Sequence, residues 1–217
     1  MTGPLTRLTA RVRRSTGDAS AARVLVVYCH PLDDSFAAAA YARVVAALDG
    51  AGVESRRHDL YREGFEPALS ADEHRDHRTP GVVDELRRHA DDLRWCDTLV
   101  LVYPTWWSGQ PAMLKGWFDR VWASGVAWEL PDGADRIRPR LRNIRRLVVV
   151  TSHGSSKLVN SLQGEGGKRT VTRSLRSMCH PLARTTWLAL YGIDTCDEGV
   201  RREFLDRVER RVGDLLS

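Results

Sequence analysis

The side chains best suited to hold a flat molecule lie between Tyr103 and Trp122. An apolar run, Thr98 to Tyr103, stops at Pro104. A short loop then carries Thr105, Trp106, Trp107, Ser108, Gly109 and a second proline, Pro111. Tight turns are normally built from Gly, Pro, Asn, Asp and Ser, so two adjacent tryptophans there answer to something other than the turn. Aromatic faces and backbone N–H groups offered together beyond a strand end suit a planar, electron-poor ring. A second polar strand end, His30-Pro-Leu-Asp-Asp-Ser35-Phe36, separates the apolar run Val24 to Cys29 from a helical pattern. Ser35 stands where an N-cap belongs, and the free N–H groups of the first turn make a phosphate site. A third strand end, Thr151-Ser-His-Gly154, follows the apolar run that begins at Arg146.

The elements that must position these loops follow from periodicity. Val24 to Cys29 is a continuous β-branched and apolar run, as expected of a parallel strand buried on both faces. Phe36, Ala40, Val44 and Leu48 then repeat at helical spacing up to Gly50. Val53 to Leu60 predicts a more mixed strand nearer an edge, and Tyr61 to Pro80 a polar, irregular excursion. Val82, Leu86, Ala90 and Leu93 predict a helix leading into the strand before the tryptophan loop. After that loop, Met113, Leu114, Trp117, Phe118, Val121 and Trp122 form one broad apolar helical face. A polar, Arg-rich loop is expected from Pro131 to Arg145, a mobile turn from Gly164 to Gly167, and a helix from Lys168 to the stop at His180-Pro181. Thr186 to Tyr191 reads as the fifth strand. Val200, Phe204, Val208, Val212 and Leu215 mark a closing amphipathic helix. Five strands alternating with helices imply an α/β fold: a doubly wound, flavodoxin-like parallel sheet of order 2-1-3-4-5 in three layers, with right-handed crossovers. All three polar loops then fall on its carboxyl edge, around the switch point.

The stretch Tyr103 to Val121 also resembles the flavin-contacting loop and helix of the NAD(P)H quinone oxidoreductases, the DT-diaphorase-like flavodoxin-fold reductases. The pattern is aromatic-Pro-x-x-Trp-x-Gly-x-Pro-Ala-x-Leu-Lys-Gly-Trp-Phe-[Asp/Glu]-Arg-Val. The resemblance implies a bound FAD or FMN and NADPH or NADH as electron donor. His30, Ser35 and Phe36 match positions that contact the flavin's phosphate or pyrophosphate; Asp33 and Asp34 depart from the family there. Pro104, Thr105, Trp106, Trp107 and Ser108 match the ring-contacting loop. Thr151, Ser152, His153 and Gly154 occupy the place of a Thr-Thr-Gly-Gly that hydrogen-bonds the pyrimidine edge. His153 there stands where the family has Gly, able to pack on the ring or donate a proton. Ser124 to Leu130 matches the segment that reaches over the neighbouring subunit's site, with Trp128 in place of a cavity-lining tyrosine. Phe65, Pro67, Leu69 and Ser70 match the start of a region used partly for dimer contacts. Asn160 and Gly166 stand where mammalian members place a Tyr and a His that relay charge, so the relay is absent or differently built. The implied reaction is two-electron reduction of quinone-like acceptors by ping-pong kinetics. Trp107, Trp128 and Asn160 would line the substrate side of a site shared by two subunits.

Composition bounds the remaining classes. The 217 residues suffice for one sizeable domain, expected over 23–217 after a disordered basic arm over 1–22. The net charge is +5, but the basic residues are mostly interspersed with carboxylates, so nucleic acid is not the expected partner. Arg7, Arg11, Arg13 and Arg14 form the exception, in an arm that lacks the apolar core of a secretory signal. No apolar run reaches the roughly 20 residues of a membrane span. Cys29, Cys96, Cys179 and Cys196 form no C-x-x-C pair and read as free thiols, in keeping with a reducing cytoplasm. His74, Asp76 and His77 read as a solvated loop rather than a metal site, because no further His or Cys confirms the spacing. A flavodoxin-like electron carrier, a regulatory subunit of a membrane transporter and a nucleic-acid-binding protein using the arm are the competing readings.

Overall fold

The computed structural model describes residues 22–216, so nearly all of the expected basic arm lies outside the described residues. The chain runs β1 (Arg23–Tyr28), α1 (Phe36–Gly50), β2 (Glu54–Asp59), α2 (Ala71–Arg75), α3 (Arg87–Trp95), β3 (Thr98–Pro104) and α4 (Ala112–Val121). It continues with β4 (Trp128–Glu129), β5 (Arg138–Pro139), β6 (Arg146–His153), α5 (Lys157–Leu162), α6 (Gly166–Arg169), α7 (Arg176–Met178), β7 (Arg184–Tyr191) and α8 (Glu198–Leu216). Five strands form one parallel sheet in the order β2-β1-β3-β6-β7, which is the expected 2-1-3-4-5 order when only these strands are counted. The two short strands β4 and β5 pair antiparallel outside it, within the stretch expected as a polar loop.

Alternate residues of the central strands enter two separate cores. Leu25, Val27, Leu99, Leu101, Leu147 and Val149 face Leu93 of α3 and Trp117 and Phe118 of α4. Val24, Val26, Val100, Val102, Val148 and Val150 face Val44 and Leu48 of α1 and Phe204 and Val208 of α8. Both faces are therefore dry, which is why these strands read as unbroken apolar runs. Helix α4 approaches the Tyr61–Pro80 excursion through Gly116, where an added Cβ would overlap the backbone of Pro67. The glycine of the Lys-Gly-Trp-Phe motif thus serves packing.

Some expectations change. Gly164 to Gly167 is not a loose turn: the Gly167 N–H donates to Ser108 O at 2.7 Å, and Gln110 Nε2 donates to Gly167 O at 2.8 Å. The helix expected from Lys168 starts at Gly166 and passes through a π-helical stretch, Thr170–Leu175. Val200 is exposed, so the buried face of α8 begins at Phe204. The sequence reading did not anticipate α5.

Candidate active site

Strands β1, β3 and β6 end side by side, and the loops leaving them surround a cavity of about 700 Å³. That volume is ordinary for a small-molecule site, commonly ~300–1,000 Å³. Its walls include His30, Ser35 and Phe36 from the first loop, Pro104 to Ser108 from the second, and Ser152, His153 and Gly154 from the third. Thr151 lies just behind them, its hydroxyl 2.9 Å from that of Thr105. Asn160 is also in the wall, whereas Trp128 lies beside a second cavity near α2 and α4. Sequence reasoning missed Ser155, which continues the third loop, Gln163 at the end of α5, and Ile193 and Asp194 after β7. Asp194 sits so close to Gly154 that a Cβ there would lie 2.5 Å from Oδ2, a restriction that no local pattern signals.

At the first loop, Ser35 Oγ accepts the Ala38 N–H and caps α1. Asp33 is turned to Arg62, at 3.0 Å. Leu32 N–H donates to His30 Nδ1 at 3.0 Å, and the Leu32 carbonyl lies 3.2 Å from the same nitrogen. The ring of His30 meets Trp106 edge-on, with centroids 6.1 Å apart.

The second loop is a two-residue turn. Trp106 and Gly109 exchange backbone hydrogen bonds of 3.1 and 2.9 Å, and Trp107 and Ser108 between them both have positive φ, 49° and 59°. Left-handed geometry at both central positions is that of type I′ turns, which favour Asn and Gly. Each non-glycine residue held there costs on the order of 1–2 kcal/mol. The loop is fixed from outside: Ser108 Oγ donates to Gln163 Oε1 at 2.6 Å, and Ser108 O accepts the Gly167 N–H. The strained turn leaves Trp107 fully exposed at the cavity mouth.

At the third loop His153 is buried, stacked on Tyr191 with centroids 4.5 Å apart. Its Nδ1 lies 2.8 Å from Asn160 Oδ1. Asn160 Nδ2 donates to the carbonyls of Ser155 and Ser156, so its Oδ1 is the acceptor and His153 Nδ1 carries the proton. Nε2 is then a lone pair on the cavity side, its one protein neighbour the Thr105 hydroxyl at 3.5 Å. Burial pushes the His153 pKa below its usual value, and Lys168 pushes the same way; the Asn160 hydrogen bond and Glu165 oppose them. With both amide protons spent, Asn160 supports His153 rather than offering a donor to a substrate.

The cysteines among the described residues are free thiols, as expected. Burial raises Cys29 and Cys179 to about 12, which removes them as nucleophiles at neutral pH. His74 and His77 stack on each other at the surface. Among the described residues one other group has the proximity of metal ligands: His58, Glu63 and His89. Trp117 Nε1 donates to His89 Nδ1 at 3.2 Å, which leaves the His89 proton on Nε2, the atom facing Glu63. His58 directs Nδ1 to Glu63 at 3.0 Å and Nε2 to Asp92 at 2.9 Å. The cluster is organised by protons and presents no pair of free imidazole lone pairs to a cation.

A cavity beyond the carboxyl ends of parallel strands at the switch point, walled by aromatic faces and a capped helix start, defines a flavodoxin-type cofactor-binding protein. A family model described as "Flavodoxin-like fold" matches residues 22–210. The uncharacterized NAD(P)H oxidoreductase YcaK of Escherichia coli strain K12 is 29% identical over 163 residues, 72% of this chain and 76% of its own. NAD(P)H dehydrogenase (quinone) 1 of Rattus norvegicus is 29% identical over 170 residues, 69% of this chain but 60% of its own length. The solved structure of NAD(P)H:quinone oxidoreductase from Methanothermobacter marburgensis superposes with a TM-score of 0.77 at 26% identity, over 90% of this chain and 98% of that one. The chain belongs to this flavodoxin-like fold family, in its NAD(P)H quinone oxidoreductase group.

Proposed function

We propose that the protein is a flavin-dependent NAD(P)H oxidoreductase that delivers two electrons to quinones or similar flat acceptors. The observation that carries this reading is the convergence of three separate strand ends on one cavity. Every residue expected from sequence to touch a flavin lines it, except Thr151, which lies directly behind. The residues fit such a ring system. An aromatic wall, a buried imidazole lone pair without a close partner and the capped start of α1 meet a planar heterocycle, an N–H donor and a phosphate respectively.

Bound FAD or FMN supplies reversible two-electron exchange. The protein's own part is orientation. Ser35 and the α1 amide groups would hold the phosphate, with His30 beside them in the wall. Trp106 and Phe36 would hold the ring, and the strand-end groups of Thr105, Ser152, His153 and Gly154 would offer it polar contacts. Trp107, held outward by the left-handed turn, covers whichever partner sits at the mouth. NADPH or NADH and the acceptor would use this one opening in turn, which gives ping-pong kinetics. Trp128 lies away from the cavity of its own chain, in keeping with a homodimer in which it closes the neighbour's site. No helix among the described residues is long and apolar enough to cross a membrane. A cytoplasmic location agrees with the free thiols.

The test is an absorbance spectrum before and after anaerobic NADPH. A yellow protein that bleaches and then recovers on adding a quinone is the expected result. A yellow protein that NADPH and NADH leave unchanged indicates a carrier fed by another donor. A colourless protein that neither FMN nor FAD reconstitutes overturns the flavin reading.

A further inference from the structure

Two histidines line the cavity, and their neighbours hold them differently. His30 Nδ1 has both the Leu32 N–H at 3.0 Å and the Leu32 carbonyl at 3.2 Å beside it. His153 gives its Nδ1 proton to Asn160 and so presents a bare Nε2. His153 is more than nine-tenths buried, and its Nε2 has only the Thr105 hydroxyl at 3.5 Å, which already pairs with Thr151 at 2.9 Å. A buried lone pair aimed into a cavity with no good partner awaits a proton or an N–H from whatever binds there.

We propose that His153 is the proton-accepting residue of this cavity, taking a solvent proton onto Nε2 when reduction places negative charge beside it, with Asn160 as the residue that positions it. This rests on the flavin reading above. The balance is simple. NAD(P)H gives two electrons and one proton and leaves as NAD(P)+; the reduced ring carries one negative charge; His153 takes one further proton from water and becomes an imidazolium. The anion and the imidazolium then form a neutral pair.

The surroundings make that uptake conditional on charge in the cavity. The titratable groups around His153 are Tyr191 stacked on it from β7 and Glu165 and Lys168 at the start of α6, with Asp194 and His30 elsewhere in the cavity wall. Glu165 pairs with Lys168 at 3.0 Å and receives the Tyr191 hydroxyl at 3.4 Å; its charge favours the imidazolium, and that of Lys168 opposes it. Burial keeps the free imidazole neutral, and a neutral imidazole is an acceptor ready for a proton. An anion within hydrogen-bond reach reverses that preference, since opposite charge nearby favours the protonated form.

The experiment uses flavin-loaded protein and a potentiometric titration between pH 6 and 8. Native protein should take up two protons for each two-electron reduction, and His153→Gln only one, a twofold shallower dependence of midpoint potential on pH. Glutamine keeps an acceptor oxygen but does not titrate, so flavin should stay bound. Nitrogen-15 NMR of the imidazole should show His153 with Nδ1 alone protonated in the oxidised protein and both nitrogens protonated after reduction. Asn160→Leu should remove the tautomer preference while leaving the fold intact. A yellow His153→Gln protein with the native pH dependence overturns the proposal alone, as does an Nε2 proton in the oxidised native protein. A protein that binds no flavin overturns the functional reading and this proposal with it.

Discussion

Gly167 lies against Gly109, so close that a Cβ on Gly167 would stand 2.9 Å from Gly109 Cα and 3.0 Å from Ser108 O. The contact joins the first turn of α6 to the tryptophan turn, and the Gly167 N–H bond to Ser108 O runs through the same point. Gly167→Ala must therefore push the turn outward. Flavin affinity should fall on the order of tenfold, about 1.4 kcal/mol, while the far-UV spectrum stays native. Fluorescence titration with FMN and FAD reads the first quantity. Unchanged affinity would mean that the clasp does not position the site.

Trp107 gives a sharper test, because its fold-stability and functional roles oppose each other. The side chain is fully exposed and packs on nothing, while its backbone is held at φ 49°. Trp107→Gly relieves left-handed strain of about 1–2 kcal/mol and adds about 0.5–1 kcal/mol of chain entropy to the unfolded state. The melting temperature should hold or rise slightly, and NADPH-to-quinone turnover should drop tenfold or more. Loss of both together would assign Trp107 to the fold.

Gly116 should behave in the opposite way. An added methyl group overlaps Pro67 backbone, which has no rotamer with which to yield. Gly116→Ala should cost about 1–3 kcal/mol, the usual range for overpacking, and any flavin still bound should keep its native spectrum. Urea unfolding followed by circular dichroism measures the cost.

Acid stability should follow His89. Burial first and His58 second lower its pKa to about 4 in the folded protein, against about 6.5 in the unfolded chain. Between those values the unfolded chain binds a proton that the folded one refuses. Stability is thus complete above about pH 6.5 and declines as pH falls toward 4, by at most ~1.4 kcal/mol per pH unit from this group. His153, also lowered, adds in the same direction. His89→Gln, which can still accept the Trp117 N–H, should flatten the dependence measured as urea midpoints at pH 7 and pH 5. A chelator such as EDTA should leave the melting temperature unchanged, since the cluster is held by protons; a drop would restore a metal to His58, Glu63 and His89.

The chain's own order of residues determined the sheet and most of the cavity wall. Val24 to Tyr28, Thr98 to Tyr103 and Leu147 to Ser152 are buried on both faces, and that burial writes itself into composition as unbroken apolar runs. The polar residues that interrupt them, His30, Ser35, Thr105 and Thr151, mark strand ends for the same local reason. Tertiary structure decided what those ends do. The register of β3 on β6 sets Tyr103 opposite Thr151, which brings the Thr105 and Thr151 hydroxyls together. Chain paths outside the sheet lay Gly167 on Gly109, bring Asp194 to Gly154 and gather His58, Glu63 and His89. The left-handed turn at Trp107 contradicts local preference and persists because Ser108 is tied to Gln163 and Gly167 from elsewhere in the chain. From sequence His153 stands at a strand end, able to pack on a ring or to donate a proton; only Asn160, with both its amide protons committed, makes it an acceptor. Periodicity records which face of an element is dry, whereas the proton on a ring nitrogen depends on a partner that only folding supplies.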